Sequence, residues 1–196
     1  KNLKNFKISD LNQKIMLLKK LSVDFIINVK FNKKFSEIKS SDFIKKILVK
    51  KVCPKFIFVS NNFRFGNKRE GDVKELIKNK TTYDFKIVKP KPFQSEKKIV
   101  SSTLIRKHLQ NGKIQKANKL LNRNWSIIGK VQKGRQLGKK IGFPTANIDI
   151  KNYILANPGV YSVKTKIGNH INYHKAVANL GYRPTFNGQK ILLEVH

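Results

Sequence analysis

The chain is 196 residues long and carries a formal net charge of +32 at pH 7. This length suffices for one large domain or two small ones, each with a core of its own. Cys53 is the only cysteine, which excludes an intrachain disulfide and favours a reducing, cytoplasmic location. Because no apolar run is long enough for a bilayer, and because the basic amino terminus lacks the apolar core of a signal peptide, we expect neither a membrane span nor secretion.

The excess of basic residues is a property shared with nucleic-acid-binding proteins, in which Lys and Arg neutralise phosphates and release counterions. Only six of the 43 basic residues are arginine, however, and the lysines are scattered along the chain. Specific nucleic-acid binders favour arginine for its bidentate fork. We therefore expect no specific nucleic-acid partner, although the positive field would attract ATP and other anions.

The first part of the chain alternates apolar runs with segments of helical spacing. The predicted strands are 25–31, 55–60 and 83–89, and the predicted helices are 41–51, 72–80, 104–110 and 115–121. This alternation predicts a parallel sheet, whose ligands bind beyond the carboxyl ends of the strands. Two loops, 61–71 and 90–100, lie at such ends.

Beyond Trp125 the sequence changes to short strands and tight turns. Gly168-Asn169 and Asn187-Gly188 are hairpin signals, and residues 161–167 alternate apolar with polar side chains. Such alternation is typical of an antiparallel strand with one wet face. We therefore predict an antiparallel barrel or sandwich here, with the domain boundary near residues 122–126.

A glycine-rich, basic segment follows directly. Glycine lacks a Cβ and tolerates positive φ, so successive backbone N–H groups can approach phosphate oxygens closely. The predicted phosphate-binding glycines are Gly129, Gly134, Gly138 and Gly142. The segment lacks the Gly-Lys-Ser/Thr ending of a P-loop, which predicts a different kind of phosphate cradle. The same glycines would also suit hairpin and bulge positions of a barrel, and the two roles are compatible.

Two oxygen donors follow the glycines. Pro144 stiffens the chain, and in an extended segment Thr145 and Asn147 lie on one face. Hydroxyl and amide oxygens suit Mg²⁺ that shares its coordination with ATP phosphates. The alternative is that both residues are ordinary turn formers.

Glu194 stands in the otherwise apolar run 191–195. An ionised carboxylate there is costly unless it is partnered, and burial makes a carboxylate a better proton acceptor near neutrality. The alternative is that Glu194 points to solvent from an edge strand.

Several motifs resemble one known family. Gly-Phe-Pro-Thr-Ala-Asn at 142–147 is similar to the signature of riboflavin kinases. Three later stretches agree with it, at 159–161, 178–186 and 193–196. Upstream, residues 62–66 and 101–106 resemble the adenylyltransferase half of bacterial bifunctional riboflavin kinase/FAD synthetases. The motifs follow the family's order across nearly the whole chain.

The resemblance implies a fold and two reactions. It implies an α/β nucleotidyltransferase domain with a Rossmann-like parallel sheet at 1–124, followed by an antiparallel β-barrel riboflavin kinase domain at 125–196. Riboflavin and ATP would give FMN and ADP, and FMN and ATP would give FAD and pyrophosphate. Glu194 would be the general base for the riboflavin 5′-hydroxyl, with Mg²⁺ held beside the ATP phosphates.

In the adenylyltransferase half, the resemblance implies an anion site for the ATP triphosphate at a helix start. Its members are Ser101, Ser102, Thr103 and Arg106. The alternative for Ser102 is a simple N-cap. The flavin ring would meet Asn62, Phe63 and Phe65, unless that loop folds back onto the core.

The sequence departs from the family in several places. It has Asn62 where an Asp is usual and Ser60 where a Gly is usual, and its four histidines do not show a His-x-Gly-His spacing. We expect a fragment lacking both termini, inactive in FAD synthesis and with a poorly folded kinase half.

Two alternatives remain open at this point. One is a riboflavin kinase with a degenerate adenylyltransferase half, and the other is a basic RNA-binding protein. The role of Arg183, which could bind phosphate or brace the barrel, and the oligomeric state are not fixed by the sequence.

Overall fold

The computed structural model describes residues 6–132, 142, 144–150, 152–168, 170–185 and 188–196, with the backbone alone for 183–185 and 188–190. These residues form two compact units, which are Phe25–Ile99 and the combination of Lys1–Asp24 with Val100–His196. None of the helices in the described part of the chain has the length and apolarity needed to cross a bilayer.

The described helices are, in chain order, α1 (Leu11–Lys20), α2 (Lys33–Ser36), α3 (Ser40–Asp42, continued by a π-helical segment Phe43–Val52), α4 (Val73–Asn79), α5 (Ser102–Gln110) and α6 (Ile114–Leu121), with a 3₁₀ turn at Asn67–Arg69. The strands are β1 (Phe56–Phe58), β2 (Arg64–Phe65), β3 (Gly71–Asp72), β4 (Lys86–Val88), β5 (Gln94–Ser95), β6 (Lys98–Ile99), β7 (Val131–Gln132), β8 (Ala146–Ile148), β9 (Gly159–Thr165), β10 (His174–Thr185) and β11 (Gly188–Val195).

The unit Phe25–Ile99 is built on a parallel pair, β1 with β4, in which Phe56 pairs with Lys86 and Phe58 with Val88. Helix α4 begins at an N-cap, Asp72, whose carboxylate accepts the backbone N–H of Glu75. Helices and strands pack around one apolar core, whose buried members are Ile44, Val59, Phe65, Val73, Leu76 and Phe85. The predicted parallel pairing and the helices at 41–51 and 72–80 are thus confirmed.

The strand predicted at 25–31 is wrong. No strand is assigned there, and the side chains of Phe25, Ile27 and Phe31 are 89%, 71% and 75% exposed. Apolar and β-branched residues favour an extended chain, but a strand also needs a neighbour for its backbone N–H and C=O groups. Within the described residues the parallel pairing joins only β1 and β4 in this unit.

The other unit contains a five-stranded antiparallel sheet in the order β7-β8-β11-β10-β9. Helices α5 and α6 precede it, separated at Gly112 (φ +70°), and Asn122 in the left-handed region ends α6. The core under the sheet contains Ile150, Tyr153, Ala156, Ala178, Leu180 and Leu193. The antiparallel architecture predicted beyond Trp125 is confirmed.

The amino-terminal segment packs within this same unit. Lys7 makes backbone bonds on both sides of Tyr153, donating to Asn152 O (2.9 Å) and accepting from Ile154 N (2.8 Å). The indole Nε1 of Trp125 donates to Ile8 O at 2.9 Å. The unit therefore spans both sides of residues 122–126, and the division of function at that boundary stays a prediction.

Candidate active site

Four polar side chains lie in one row across the five-stranded sheet. In the strand register, Gln132 pairs with Asn147, Asn147 with Glu194, and Glu194 with Asn179. Directly paired residues point their side chains to the same face of a sheet, so all four lie on one side. The adjacent row, which faces the core, consists of Ile148, Leu193 and Leu180. The polar row is therefore carried by strands that an apolar layer holds in register.

The side-chain oxygen Oδ1 of Asn147 is buried and has no hydrogen-bond partner among the described residues. A buried acceptor left unpaired costs about 1–3 kcal/mol. Coordination of a cation would remove that cost, and an amide oxygen is a hard donor of the kind that Mg²⁺ binds. On this observation the residues at Asn147 fit a divalent cation.

Glu194 is half-buried and lies directly opposite Asn147. Strand β11 runs between β8 and β10, so the edge-strand alternative for Glu194 is wrong. Because the ladder fixes both backbones, the carboxylate and the unpaired amide oxygen share one face of two adjacent strands. The structure thus brings together the two side chains that the sequence proposes as base and metal ligand.

The segment before β8 is exposed at Thr145. Gly142 has φ +82°, a backbone angle that favours glycine, and open space surrounds the position of a Cβ there. At Gly129 a Cβ would lie 2.5 Å from a side-chain atom of β8, so the close approach of this residue to β8 requires glycine. The predicted phosphate contacts of Gly134 and Gly138 lie outside the described residues.

The sequence did not predict one hydrogen-bonded pair, which joins Gln132 of the polar row to Asp149. The amide Nε2 of Gln132 donates to Oδ2 of Asp149 at 3.1 Å. Asp149 is two residues from Asn147, which puts both on one face of the chain, and that spacing could have been noticed. The nearness of Gln132 depends on the β7–β8 register, for which the sequence carries no signal.

The motif at 101–106 forms the start of helix α5. The N-cap is Ser101, whose Oγ accepts the backbone N–H of Leu104 at 3.2 Å, so the N-cap alternative applies to Ser101 and not to Ser102. The side chains of Ser102 and Thr103 are exposed in the first turn. Both hydroxyls are therefore open to a ligand at the helix start.

Arg106, one turn into α5, is held by Phe6. Its Nε donates to Phe6 O at 2.9 Å, and its guanidinium carbon lies 3.6 Å from the Phe6 ring centroid. The stacking fixes the plane of the guanidinium. The predicted phosphate contact of Arg106 must therefore use the guanidinium nitrogens beyond Nε.

The aromatic motif at 62–66 lies in the unit Phe25–Ile99, and its two phenylalanine rings differ in their exposure. Phe65 is 7% exposed and packs in the core against Phe43 and Phe63, so for this residue the alternative of a loop folded back onto the core applies. Phe65 lies on β2, which pairs with β3, and its ring is a member of the core of this unit. Phe63 is half-buried, and Asn62 is exposed and accepts a hydrogen bond from the Ser60 hydroxyl at 2.7 Å.

Two family models match the chain, FAD synthetase over residues 1–104 and riboflavin kinase over residues 121–196. Similar proteins named bifunctional riboflavin kinase/FMN adenylyltransferase include those of Buchnera aphidicola from Schizaphis graminum (38% identical) and from Acyrthosiphon pisum (40%), and that of Haemophilus influenzae (38%). The alignments cover 97%, 100% and 95% of this chain and 62%, 63% and 60% of the relatives. The chain thus spans about three fifths of the length of these relatives.

Among solved structures, one described as a macrolide-efflux protein from Streptococcus pneumoniae is 27% identical with a TM-score of 0.80. That match covers 96% of this chain and 60% of the other. The two folds are alike over nearly all of this chain. The order of the two family matches is the order that the sequence motifs predict.

Proposed function

Because this chain belongs to the FAD synthetase family and its residues 121–196 match the riboflavin kinase family, we propose that the whole protein uses ATP to convert riboflavin to FMN and FMN to FAD. The kinase reaction is assigned to residues 125–196 and the adenylyl transfer to residues 1–124. A cytoplasmic location and the absence of a specific nucleic-acid partner belong to the same proposal.

In the kinase step, Glu194 accepts the proton of the riboflavin 5′-hydroxyl. The freed oxygen forms a bond to the γ-phosphorus of ATP while the bond from that phosphorus to the β–γ bridging oxygen breaks, and ADP leaves. Asn147 and Thr145 would hold Mg²⁺. When bound, Mg²⁺ supplies positive charge that neutralises the phosphoryl oxygens.

The single observation that carries this proposal is the register pair of Asn147 with Glu194. It joins a buried, unpaired amide oxygen to a half-buried carboxylate on one face of the sheet. The exposed members of the row, Gln132 and Asn179, are ordinary polar residues of a sheet face, whereas a buried acceptor without a partner is costly unless a ligand supplies one. A base and a cation ligand side by side are what an in-line phosphoryl transfer to a hydroxyl requires.

In the adenylylation step, a phosphate oxygen of FMN attacks the α-phosphorus of ATP and pyrophosphate leaves. Ser102, Thr103 and Arg106 would hold the triphosphate, supported by two exposed hydroxyls at the start of α5 and an oriented guanidinium. Phe63 and Asn62 would contact the flavin, and Phe65 would support Phe63 from the core by stacking. A kinase with a degenerate adenylyltransferase half remains the alternative.

The kinase assignment is tested by measuring FMN formation from riboflavin and Mg²⁺-ATP in the wild type and two variants. We expect Glu194→Gln to lower kcat by about 10²- to 10⁴-fold, because an amide cannot accept the proton. Asn147→Ala is expected to raise the Mg²⁺ concentration needed for half-maximal rate.

The matched control is Ser162→Ala, an exposed side chain outside the polar row on strand β9, which is separated from β11 by β10. Its rate should equal that of the wild type. Unchanged FMN formation in both Glu194→Gln and Asn147→Ala would remove the assignment of the site.

A further inference from the structure

His196 follows directly after strand β11, and its backbone is fixed. The backbone N–H of His196 donates to Val177 O at 2.9 Å, and the carbonyl of His196 accepts from Val177 N at 2.7 Å. These two bonds attach the residue to β10. Because side chains alternate along a strand, His196 and Glu194, two residues apart, lie on the same face.

The imidazole of His196 reaches the turn that leads into β8. Its Nδ1 lies 2.9 Å from the carbonyl oxygen of Pro144. A carbonyl oxygen can only accept, so Nδ1 must carry the hydrogen.

This contact lies just beyond the end of the β8–β11 ladder. The ladder ends at the pair of Ala146 with Val195, and the imidazole then joins His196, the residue after β11, to Pro144, which lies two residues before β8 begins. The pyrrolidine ring of Pro144 restricts its φ, which limits the directions that its carbonyl can take. One side chain thus ties the start of the segment 144–147 to the strand that carries Glu194.

We propose that His196 is a positioning residue, whose Nδ1–H holds the Pro144 carbonyl so that Thr145 and Asn147 keep their place beside Glu194. The inference rests on the proposed function, because it treats Thr145 and Asn147 as cation ligands. In this proposal His196 has no direct contact with the cation or with riboflavin. Its role differs from that of Glu194, since it acts only through the turn that it holds.

Loss of the contact should affect the cation more than the flavin. Residues that orient metal ligands typically contribute about 10- to 100-fold to metal affinity or activity when replaced. Without the bond, the Pro144 end of the segment is released while the ladder still holds Asn147 at the other end. We therefore expect weaker binding of divalent cation with an unchanged KM for riboflavin.

The test compares His196→Leu with His196→Asn. The Asn side-chain nitrogen occupies nearly the place of Nδ1 and can donate, whereas Leu fills similar space and cannot. Binding of Mn²⁺ in the presence of ADP is followed by the electron paramagnetic resonance signal of free Mn²⁺. We expect about tenfold weaker Mn²⁺ binding for the Leu variant and values within about twofold of wild type for the Asn variant.

A second measurement reads the contact directly. The ¹⁵N shifts of the His196 ring should show that the neutral imidazole carries its hydrogen on Nδ1. A ring with its hydrogen on Nε2 alone, Mn²⁺ binding by the Leu variant equal to wild type, or an Asn variant as weak as Leu would each overturn the proposal. A general loss of folding would lower the melting temperature of both variants alike. Mn²⁺ binding near the wild-type value in the Asn variant would exclude that explanation.

Riboflavin phosphorylation separates this inference from the function on which it rests. If the wild type forms no FMN, the kinase proposal fails, while a difference in Mn²⁺ binding between the Leu and Asn variants would still support positioning of a cation site. If the wild type forms FMN and that difference is absent, the positioning role alone fails.

Discussion

Gly66 closes the loop that carries Asn62 and Phe63, and its backbone has φ +75° and ψ 179°. That region is almost restricted to glycine and costs other residues about 1–3 kcal/mol. A Cβ there would also lie 2.7 Å from the backbone of Ser40, which is fixed because its N–H donates to Glu70 at 2.7 Å. Strain and steric overlap therefore act together at this residue.

We expect Gly66→Ala to lower the free energy of unfolding of the intact chain by at least about 2 kcal/mol, measured by urea denaturation. Gly112→Ala is the matched control, because Gly112 also has positive φ but a Cβ there would meet its nearest atom at an ordinary 3.4 Å. Its loss should be clearly smaller. Equal losses in the two variants would show that overlap with Ser40 contributes nothing.

Tyr153 links stability to pH. Its hydroxyl is buried and lies 2.9 Å from Gln13 Oε1 and 3.0 Å from Asp10 Oδ2. Burial, followed by the nearby carboxylate, raises the pKa of Tyr153 to about 12 from 10.0. Because the folded pKa is the higher one, the neutral phenol contributes stability that is fully present below pH 10 and is lost as the pH rises through about 12.

The stability difference between the wild type and Tyr153→Phe should therefore shrink between pH 10 and pH 12. Subtracting the variant removes the titration of lysines and other tyrosines, which both proteins share. Urea unfolding at a series of pH values gives the difference directly. A difference that stays constant over this range would contradict the argument.

At the scale of elements, the sequence predicted most where local signals and tertiary packing agree. Helix α4 follows an Asp N-cap, and β9 follows strict alternation of side chains. The strand prediction for 25–31 was wrong because strand formation depends on a neighbouring strand. Apolar residues carry no information about whether such a strand is present. The position of Phe65 was not predicted because the sequence reads as a loop there. In the structure the residue belongs to β2, pairs with β3 and packs in the core.

The candidate site was predictable in part for the same reason. Glycine, hydroxyl, amide and carboxylate residues could be identified by their chemistry and by the motifs that they form. Which of them meet depends on register, and a shift of one residue would move Glu194 to the core face. The pairing of Asn147 with Glu194 and the contact of His196 therefore became visible only with the sheet.

At the scale of the whole molecule, the segment before residue 25 completes the unit that contains the sheet. Lys7 bonds on both sides of Tyr153, Trp125 donates to Ile8, and Gln13 donates to Ser126 O at 3.1 Å. Residues near the beginning of the chain thus pack against a unit whose sheet lies more than a hundred residues later. A piece that lacks this segment would expose the surface that it covers.

Trp125 is the only tryptophan, so its fluorescence reports this packing without labels. We expect residues 100–196, produced without the earlier segment, to show red-shifted Trp125 emission relative to the intact chain, because the indole loses Ile8 and gains water. Added peptide 1–24 should shift the emission back with saturation, and a scrambled peptide of the same composition should not. Identical emission from the piece and the intact chain would mean that the later residues form this core unaided, and the contacts of Lys7, Ile8 and Gln13 would then be dispensable for folding.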